Sequence, residues 1–291
     1  MLRLALPKGS LEKQTLQLFE DADLHVRRSS DVEYKATIDD PRVAEVAVLR
    51  PQEIPDYVAD GLFDVGIAGR DSIEECGRDV VSLGILRYSR DTDRPYNIVL
   101  AVAEDAPWQQ VEDLPDDIRV STEWVKMTER FLEKRGVKAI VRYSYGATEA
   151  KIPDVADAIV EGTETGRALR ANKLRILDTV VSSYTEIIAN REAYEDPAKR
   201  KAMEQINTLL QGVLEARDKV LVKLNVAGDD LDKVIAIIPS MKSPTVNELF
   251  GGSGYAVETV VPKSEINILI PALKDAGATD IIELPLAKIV H

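Results

Sequence analysis

Between Leu2 and Asn190, short aliphatic runs alternate with amphipathic stretches, separated by turns rich in Gly, Pro, Ser and Thr. "LRLAL", "VAEVAVLR", "FDVGIAG", "DIRVST", "KAIVRYSYG" and "ADAIVEGT" have the length and β-branched content of buried strands. Helices fall between them. One starts after Ser10, which is placed to cap it, with Leu11, Thr15, Leu18 and Phe19 on one face. "IPDYVADG" is stopped by Gly61, "RDSIEE" begins another, and "EWVKMTERFLEKRG" ends at Gly136. Strands that alternate with helices build a largely parallel sheet, because a parallel pair needs a long crossover. That alternation restricts the chain to an α/β fold.

The alternation is interrupted twice. "RDTDRPY", with Pro95, precedes a fresh strand from Asn97 to Ala103, and "VVSSYTEIIAN" reads as a strand returning to the first part. Two lobes joined by two crossings, near residues 95 and 183, follow from this, and ligands commonly bind between such lobes. A long helix with Pro197 in its first turn comes next. After it, strand, helix, strand, strand, helix, strand run through to the end, the ferredoxin-like βαββαβ order. The expected domains are a first lobe of 1–94 and 183–212, a second lobe of 95–182, and a C-terminal module of 213–291. That module carries no catalytic-looking cluster, so regulation and dimerisation are both open to it.

The chain of 291 residues carries a net charge of −13, which argues against nucleic acid as a partner because a phosphate backbone needs a basic footprint. A small anion held by a few local cations remains compatible. No apolar run approaches the ~18–20 residues of a membrane span, and "MLRLALPKGS" has no signal-peptide core. One cysteine, Cys76, rules out an internal disulfide and a Cys-based zinc site. A cytoplasmic protein is expected. His25 and His291 have no candidate nucleophile near them in sequence, so a His-based triad is disfavoured.

The stretch "ADAIVEGTETGRALRAN" carries the most chemistry. A strand ends in Glu161, and the turn Gly162, Thr163, Glu164, Thr165, Gly166, Arg167 leads into a helix near Ala168. Backbone N–H groups at a helix start, two hydroxyls and a guanidinium suit a phosphate. Glu161 would repel a bare anion but suits vicinal hydroxyls, so the combined target is a ribose 5-phosphate. An ordinary capped helix with an exposed acid fits the same spacing. Other strand ends carry Lys8 and Gly9, Arg50, and Gly69 with Arg70 and Asp71. Together they look like one anion-binding face of an open sheet, Arg50 as a bidentate fork, Lys8 as a point charge and Asp71 as an acceptor. A two-lobed small-molecule-binding or sensor protein without catalysis is the competing reading.

These residues lie in blocks that resemble the long-form ATP phosphoribosyltransferase family: "LRLALPKGSL", "LRPQEIPDYVADGLFDVGIAGRDSIEE", "ADAIVEGTETGRALRANKLRILDTVVSS" and "SPTVNELFGGSGYAVETVVP" with "LKDAGATDIIELPLAKIV". The resemblance covers essentially the whole chain. It implies a two-lobed core like the type II periplasmic binding proteins and a C-terminal ferredoxin-like histidine-sensing domain. It implies transfer of the phosphoribosyl group of 5-phosphoribosyl 1-pyrophosphate (PRPP) to N1 of ATP, with Mg2+ held mainly by substrate phosphates and no dedicated protein metal site. Glu161 would hold the ribose hydroxyls and Glu164 to Ala168 the 5-phosphate. Lys8, Gly9, Gly69 and Asp71 would line the ATP side, with Arg50 and Lys8 stabilising the leaving pyrophosphate. Asn225, Thr245 and Asp280 would take the inhibitor histidine, in a homo-oligomer that exists as dimer and hexamer. The family often has Asp at the position of Glu161, Thr-Thr where this chain has Arg167-Ala168, and an acid at the position of Asn225.

Overall fold

A computed structural model describes residues 1–30, 33–88, 96–239, 241 and 243–291. The chain divides into two compact units, Met1–Asn207 and Thr208–His291. Its strands are β1 (Leu2–Pro7), β2 (Val26–Arg27), β3 (Lys35–Ile38), β4 (Val43–Leu49), β5 (Val65–Gly69), β6 (Val81–Leu86), β7 (Tyr96–Ala103), β8 (Ile118–Thr122), β9 (Ala139–Tyr143), β10 (Ala158–Thr163), β11 (Leu174–Ser183) and β12 (Thr185–Ala189) in the first unit. The second unit holds β13 (Lys219–Val226), β14 (Thr245–Glu248), β15 (Tyr255–Pro262) and β16 (Ala278–Pro285). The helices are α1 (Glu12–Asp21), α2 (Ile54–Ala59), α3 (Arg70–Cys76), α4 (Val125–Lys134), α5 (Arg167–Ala171), α6 (Arg191–Glu195), α7 (Pro197–Ala216), α8 (Leu231–Ile237) and α9 (Ile266–Asp275). No described helix is long and apolar enough to cross a membrane.

Two sheets build the first unit. One has the order β2-β3-β4-β1-β5-β12-β6 and the other β11-β7-β10-β8-β9. In the first, β4, β1 and β5 are parallel and β12 runs antiparallel to β5 and β6. In the second, β9, β8 and β10 are parallel and β7 runs antiparallel to β10 and β11. Each lobe therefore has a parallel core in the order second, first, third strand, followed by one antiparallel strand at a chain crossing. This is the two-lobed α/β architecture of the type II periplasmic-binding-protein kind. The lobes have separate cores, with Ala5, Ile54, Val58 and Ile188 buried in one and Ile98, Leu100, Val120 and Leu132 in the other.

Two expectations are corrected. "VVSSYTEIIAN" is not one strand: β11 ends at Ser183 in the second sheet, and β12 starts at Thr185 in the first. The chain changes sheet at Tyr184, whose carbonyl accepts the Arg70 N–H at 2.8 Å. β-prone runs, Val180–Val181 before it and Ile187–Ile188 after it, flank that point with no Gly or Pro between them, so no turn signal reveals it. Ser10 does not cap α1 with its side chain; a 3-10 turn, Gly9–Leu11, comes first, and the Glu12 carboxylate accepts the Gly9 N–H at 3.1 Å. Strands β2, β3 and β6 carried no clear signal, being short or at a sheet edge. The first crossing, expected at 94/95, lies outside the described residues.

In the second unit the sheet is antiparallel in the order β14-β15-β13-β16, the ferredoxin-like arrangement. Alternation along β13 puts Val220, Val222, Leu224 and Val226 into a core with Val234 of α8 and Leu269 and Leu273 of α9. The other face carries an ion pair, Lys223 to Glu258 at 2.8 Å. The division between the units falls within α7, a little before the expected boundary at 213.

A buried carboxylate ties the first lobe together. Asp64 precedes β5 and accepts from the Arg3 N–H at 2.8 Å and the Lys199 ammonium at 2.9 Å. Burial alone raises its pKa, but the bonds from Arg3 and Lys199 outweigh that and leave it below the ordinary carboxylate value. A depressed folded pKa means stability that is complete above about pH 4 and lost as pH falls through the folded value. Asp64→Asn is expected to lower unfolding free energy by about 1–3 kcal/mol at neutral pH, with the gap from the parent narrowing below about pH 4. Urea melts across pH check this; a gap that stays constant with pH contradicts the ion-pair account.

Candidate active site

The parallel strands of both lobes point their C-terminal ends at one cleft. Ser10 and Leu11 follow β1, Pro51 and Gln52 follow β4, and Gly69 and Asp71 follow β5. The opposite wall has Glu123 and Trp124 after β8, and Glu161 and Glu164 at the end of β10. Tyr96, Ser183, Tyr184 and Thr185, at the crossing strands, close the floor. Strand C-termini are the usual ligand side of such sheets. The cleft has a cavity volume of about 350 Å3, within the roughly 300–1,000 Å3 of ligand pockets in general.

Asp71 joins the walls. Its carboxylate accepts the Ser183 hydroxyl at 2.6 Å and the Trp124 indole N–H at 3.2 Å, while its own N–H donates to Ser183 Oγ at 3.1 Å. A Cβ at Gly69 would stand 2.3 Å from Asp71 Oδ1, so only glycine lets the acid fold back there. Further along α3, the Glu75 carboxylate accepts the N–H groups of Lys126 at 3.0 Å and Met127 at 2.8 Å. A residue of the first lobe thus caps α4 of the second, satisfying donors that a helix start leaves unpaired. Arg130 of α4 donates back to the Glu74 carbonyl.

Glu161 stands half-buried on the second wall. Burial pushes its carboxyl above the ordinary value; the Gly162 N–H and the Thr148 hydroxyl pull it down, and the charges of Glu123 and Glu149 push it up. The net shift is upward. Beyond it, an open cavity is lined by Gly162 to Thr165, Arg167, Ala168, Ala171 and the same Tyr96 and Glu164 that line the cleft. The turn is held from within: Gly166 sits at φ +67° and its N–H donates to Thr163 Oγ1 at 2.8 Å.

Residues 50–212 match the family model described as ATP phosphoribosyltransferase, and residues 216–288 match one described as its C-terminal domain. An ATP phosphoribosyltransferase of Pelotomaculum thermopropionicum is 47% identical over 291 residues, covering 99% of each chain. The chain belongs to the ATP phosphoribosyltransferase family. A second relative of that name, from Desulforudis audaxviator, is also 47% identical over 99% of each chain. Among solved structures, the ATP phosphoribosyl transferase HisG:HisZ complex from Thermotoga maritima aligns with a TM-score of 0.62 at 26% identity, covering 72% of this chain and 97% of that one. The protein is a pentosyltransferase of histidine biosynthesis, and the family name implies ATP and a phosphoribosyl donor as its substrates.

For an ATP phosphoribosyltransferase the placement of charge is unexpected. Gly69, Asp71, Glu161 and Glu164 line the cleft, and Gly162, Thr163, Thr165, Arg167 and Ala168 line the adjoining cavity. Lys8 and Arg50 do not line either; the Lys8 ammonium lies 5.5 Å from the centre of the Tyr34 ring, and Arg50 is exposed. Gly9 holds φ +84° in the turn that precedes α1. Arg70 does not join the anion-binding face: its guanidinium bonds Glu74 at 2.9 Å and Glu186 at 3.5 Å. In the C-terminal unit, the Asn225 amide donates to the Asp280 carboxylate at 3.0 Å. Thr245 lies on another strand, opposite Glu258 and therefore in the row of Lys223 rather than of Asn225. Trp124, Glu123, Tyr96 and Glu149 were missed. Trp124 and Glu123 follow a strand end in "VSTEW", the signal used elsewhere; Tyr96 and Glu149 sit where sequence gives no such cue.

Tyr96 lies directly on the loop, since a Cβ at Gly162 would fall 1.9 Å from its hydroxyl. Gly162→Ala must turn that ring aside, which disturbs the cleft floor more than the core. kcat/KM for PRPP is expected to fall by about tenfold or more, with little change in melting temperature. Unchanged kcat/KM would mean that the seat of Tyr96 does not matter to the reaction.

Proposed function

We propose that the cleft aligns ATP and PRPP for attack of adenine N1 on the anomeric carbon as pyrophosphate leaves. Glu161 accepts hydrogen bonds from the ribose hydroxyls, and the turn Glu164 to Ala168 receives the 5-phosphate. Gly69 and Asp71, with Lys8 and Gly9 beyond them, serve the ATP side. The observation that carries this reading is the position of Glu161, half-buried on the cleft wall where it adjoins the cavity of the Gly162–Ala168 turn. One ligand with hydroxyls beside a phosphate spans both. The transfer needs no covalent intermediate: it needs two anions held in line and a leaving group neutralised.

Among the described residues, those lining the cleft include Asp71, Glu123, Glu161 and Glu164 and no Lys or Arg. Two polyanions enter such a site as Mg2+ complexes, with Mg2+ carried on their phosphates as part of the substrates; a hard cation with oxygen ligands suits that role. Arg50 and Lys8 stand at the rim, beside Pro51 and close to Ser10 of the lining. Their long side chains swing toward the pyrophosphate when substrates bind. The domains are read as lobe I, 1–94 and 183–212, lobe II, 95–182, and a histidine-sensing module, 213–291, of a cytoplasmic enzyme that assembles as dimers and hexamers.

Histidine inhibits through the C-terminal module, at Asn225, Thr245 and Asp280. An amide at Asn225 cannot pair with the effector's ammonium, but Asp280 beside it can.

Two tests follow. Product formation is read from the ultraviolet change on N1 substitution of adenine, with pyrophosphatase present. Arg50→Ala is expected to lower kcat more than about tenfold, since a charged hydrogen bond to a developing anion contributes about 1.5–3 kcal/mol; an unchanged kcat removes Arg50 from the mechanism. Asp280→Asn is expected to raise the histidine concentration for half-inhibition by about tenfold or more, leaving the uninhibited rate alone. Parental sensitivity in that variant would exclude Asp280 as the effector's counter-charge.

A further inference from the structure

Two helices from opposite walls of the cleft cap each other. The Glu75 carboxylate of α3 accepts the N–H groups of Lys126 and Met127, in the first turn of α4, at 3.0 and 2.8 Å. Trp124, the N-cap residue of α4, supplies no side-chain cap of its own. In return the Arg130 guanidinium of α4 donates to the Glu74 carbonyl, in the last turn of α3. α3 ends at Gly77, which holds φ +66°, and a Cβ there would stand 2.9 Å from Arg130 Nη1. Glycine at that position both ends the helix and leaves room for the guanidinium. Both charges have the favourable sign, an acid at the positive end of one helix dipole and a cation at the negative end of the other.

We propose that this reciprocal cap is a clamp that sets the separation of the cleft walls for phosphoribosyl transfer, with Glu75 and Arg130 as positioning residues. The inference rests on the reading that the cleft aligns ATP on one wall with PRPP on the other. Its route to the reacting atoms is short. Trp124 immediately precedes α4 and lines the cleft beside Glu123. The Trp124 indole N–H donates to the Asp71 carboxylate at 3.2 Å, and Asp71 stands in the first turn of α3. Asp71 and Glu75 are four residues apart, so they share a face of that helix. The bond from Trp124 to Asp71 alone would leave a pivot. A second attachment one helical turn on fixes tilt as well as distance.

The kinetic signature of such a clamp follows from where the substrates sit. Each is held by its own wall, so releasing the clamp changes the affinity for either one little. It changes whether adenine N1 and the anomeric carbon meet at reacting distance. A misplacement of about 1 Å there costs on the order of 100-fold in rate. The clamp therefore acts on kcat rather than on KM.

The test separates a clamp from simple helix capping. The full-length enzyme is compared with Glu75→Ala, Glu75→Gln, Arg130→Met, Glu161→Gln and the double variant Glu75→Ala with Lys126→Asp. Lys126 is exposed, and aspartate there gives α4 an acid in its own first turn. Glu75→Ala is expected to lower kcat by about tenfold or more, to leave KM for ATP and for PRPP within about threefold, and to lower the melting temperature by about 2–4 °C. Glu75→Gln keeps one acceptor and falls between, and Arg130→Met lowers kcat in the same direction. The double variant regains the melting temperature but not kcat. On a Trp108→Phe background, which leaves Trp124 as the remaining indole, Glu75→Ala shifts the emission of the folded enzyme to longer wavelength. Recovery of kcat along with melting temperature in the double variant means capping alone and overturns the clamp. A loss confined to KM overturns it too, as does a kcat for Glu75→Ala within about twofold of the parent. If Glu161→Gln raises KM for PRPP while the Glu75 variants keep the parental kcat, the clamp is wrong and the reading of the cleft stands. If Glu161→Gln also leaves KM for PRPP unchanged, that reading fails and the clamp with it. Should Glu75→Ala not fold, Glu75→Gln and Arg130→Met decide by the same criterion: parental kcat in both overturns the clamp.

Discussion

The geometry of the cleft depends on how α3 is held. It begins at the end of β5 with Asp71 locked to Ser183 and Trp124, and it continues to Glu75, which caps α4. Those partners belong to the second lobe or to its last strand. One short helix of the first lobe therefore sets the separation of the walls, using bonds that are polar and partly accessible rather than a buried apolar face. Polar seams of this kind separate at low cost compared with a packed core, since each bond exchanges with water for a net of about 0.5–1.5 kcal/mol. The arrangement suits a site that must admit two large substrates and then exclude water from them.

Charge explains the rest of the site. Among the described residues, acidic side chains line the cleft, Arg167 lines only the adjoining cavity, and Arg70 is bonded to Glu74 and Glu186. The same acids crowd Glu161: burial and the charges of Glu123 and Glu149 raise its pKa against the pull of the Gly162 N–H.

The fold was largely legible because each parallel strand is a short β-branched run and each helix is amphipathic; β1, β4, β5, β8 and β10 stand where their sequences place them. The change of sheet at Tyr184 was hidden, since no Gly or Pro interrupts the β-prone run from Val180 to Ile188. Residues at strand ends were found by one rule, which located Asp71, Glu161 and the turn after it. The same rule over-reached with Arg70, because sequence shows that a cation is present and not that a neighbouring Glu74, one helical turn on, has already taken it. Thr148 and Lys151 were invisible for a different reason. Their common partner Ser144 is brought to both by the segment between β9 and β10, and no periodicity encodes a contact of that kind.

The two lobes share a strand order, and that symmetry has a chemical consequence. In each, the parallel core reverses next to an antiparallel crossing strand, β12 in one and β7 in the other. Each lobe thus brings its own set of strand C-termini to the shared cleft, one wall supplying Gly69 and Asp71, the other Glu161 and the turn to Ala168. A reaction between two bound anions gains most when each is held by a rigid element and only their separation varies. The strands that meet at Tyr184 join the two sheets directly. Beside that crossing, the distance between the walls depends on Asp71 and Glu75, whose bonds tie α3 of one lobe to Trp124 and α4 of the other.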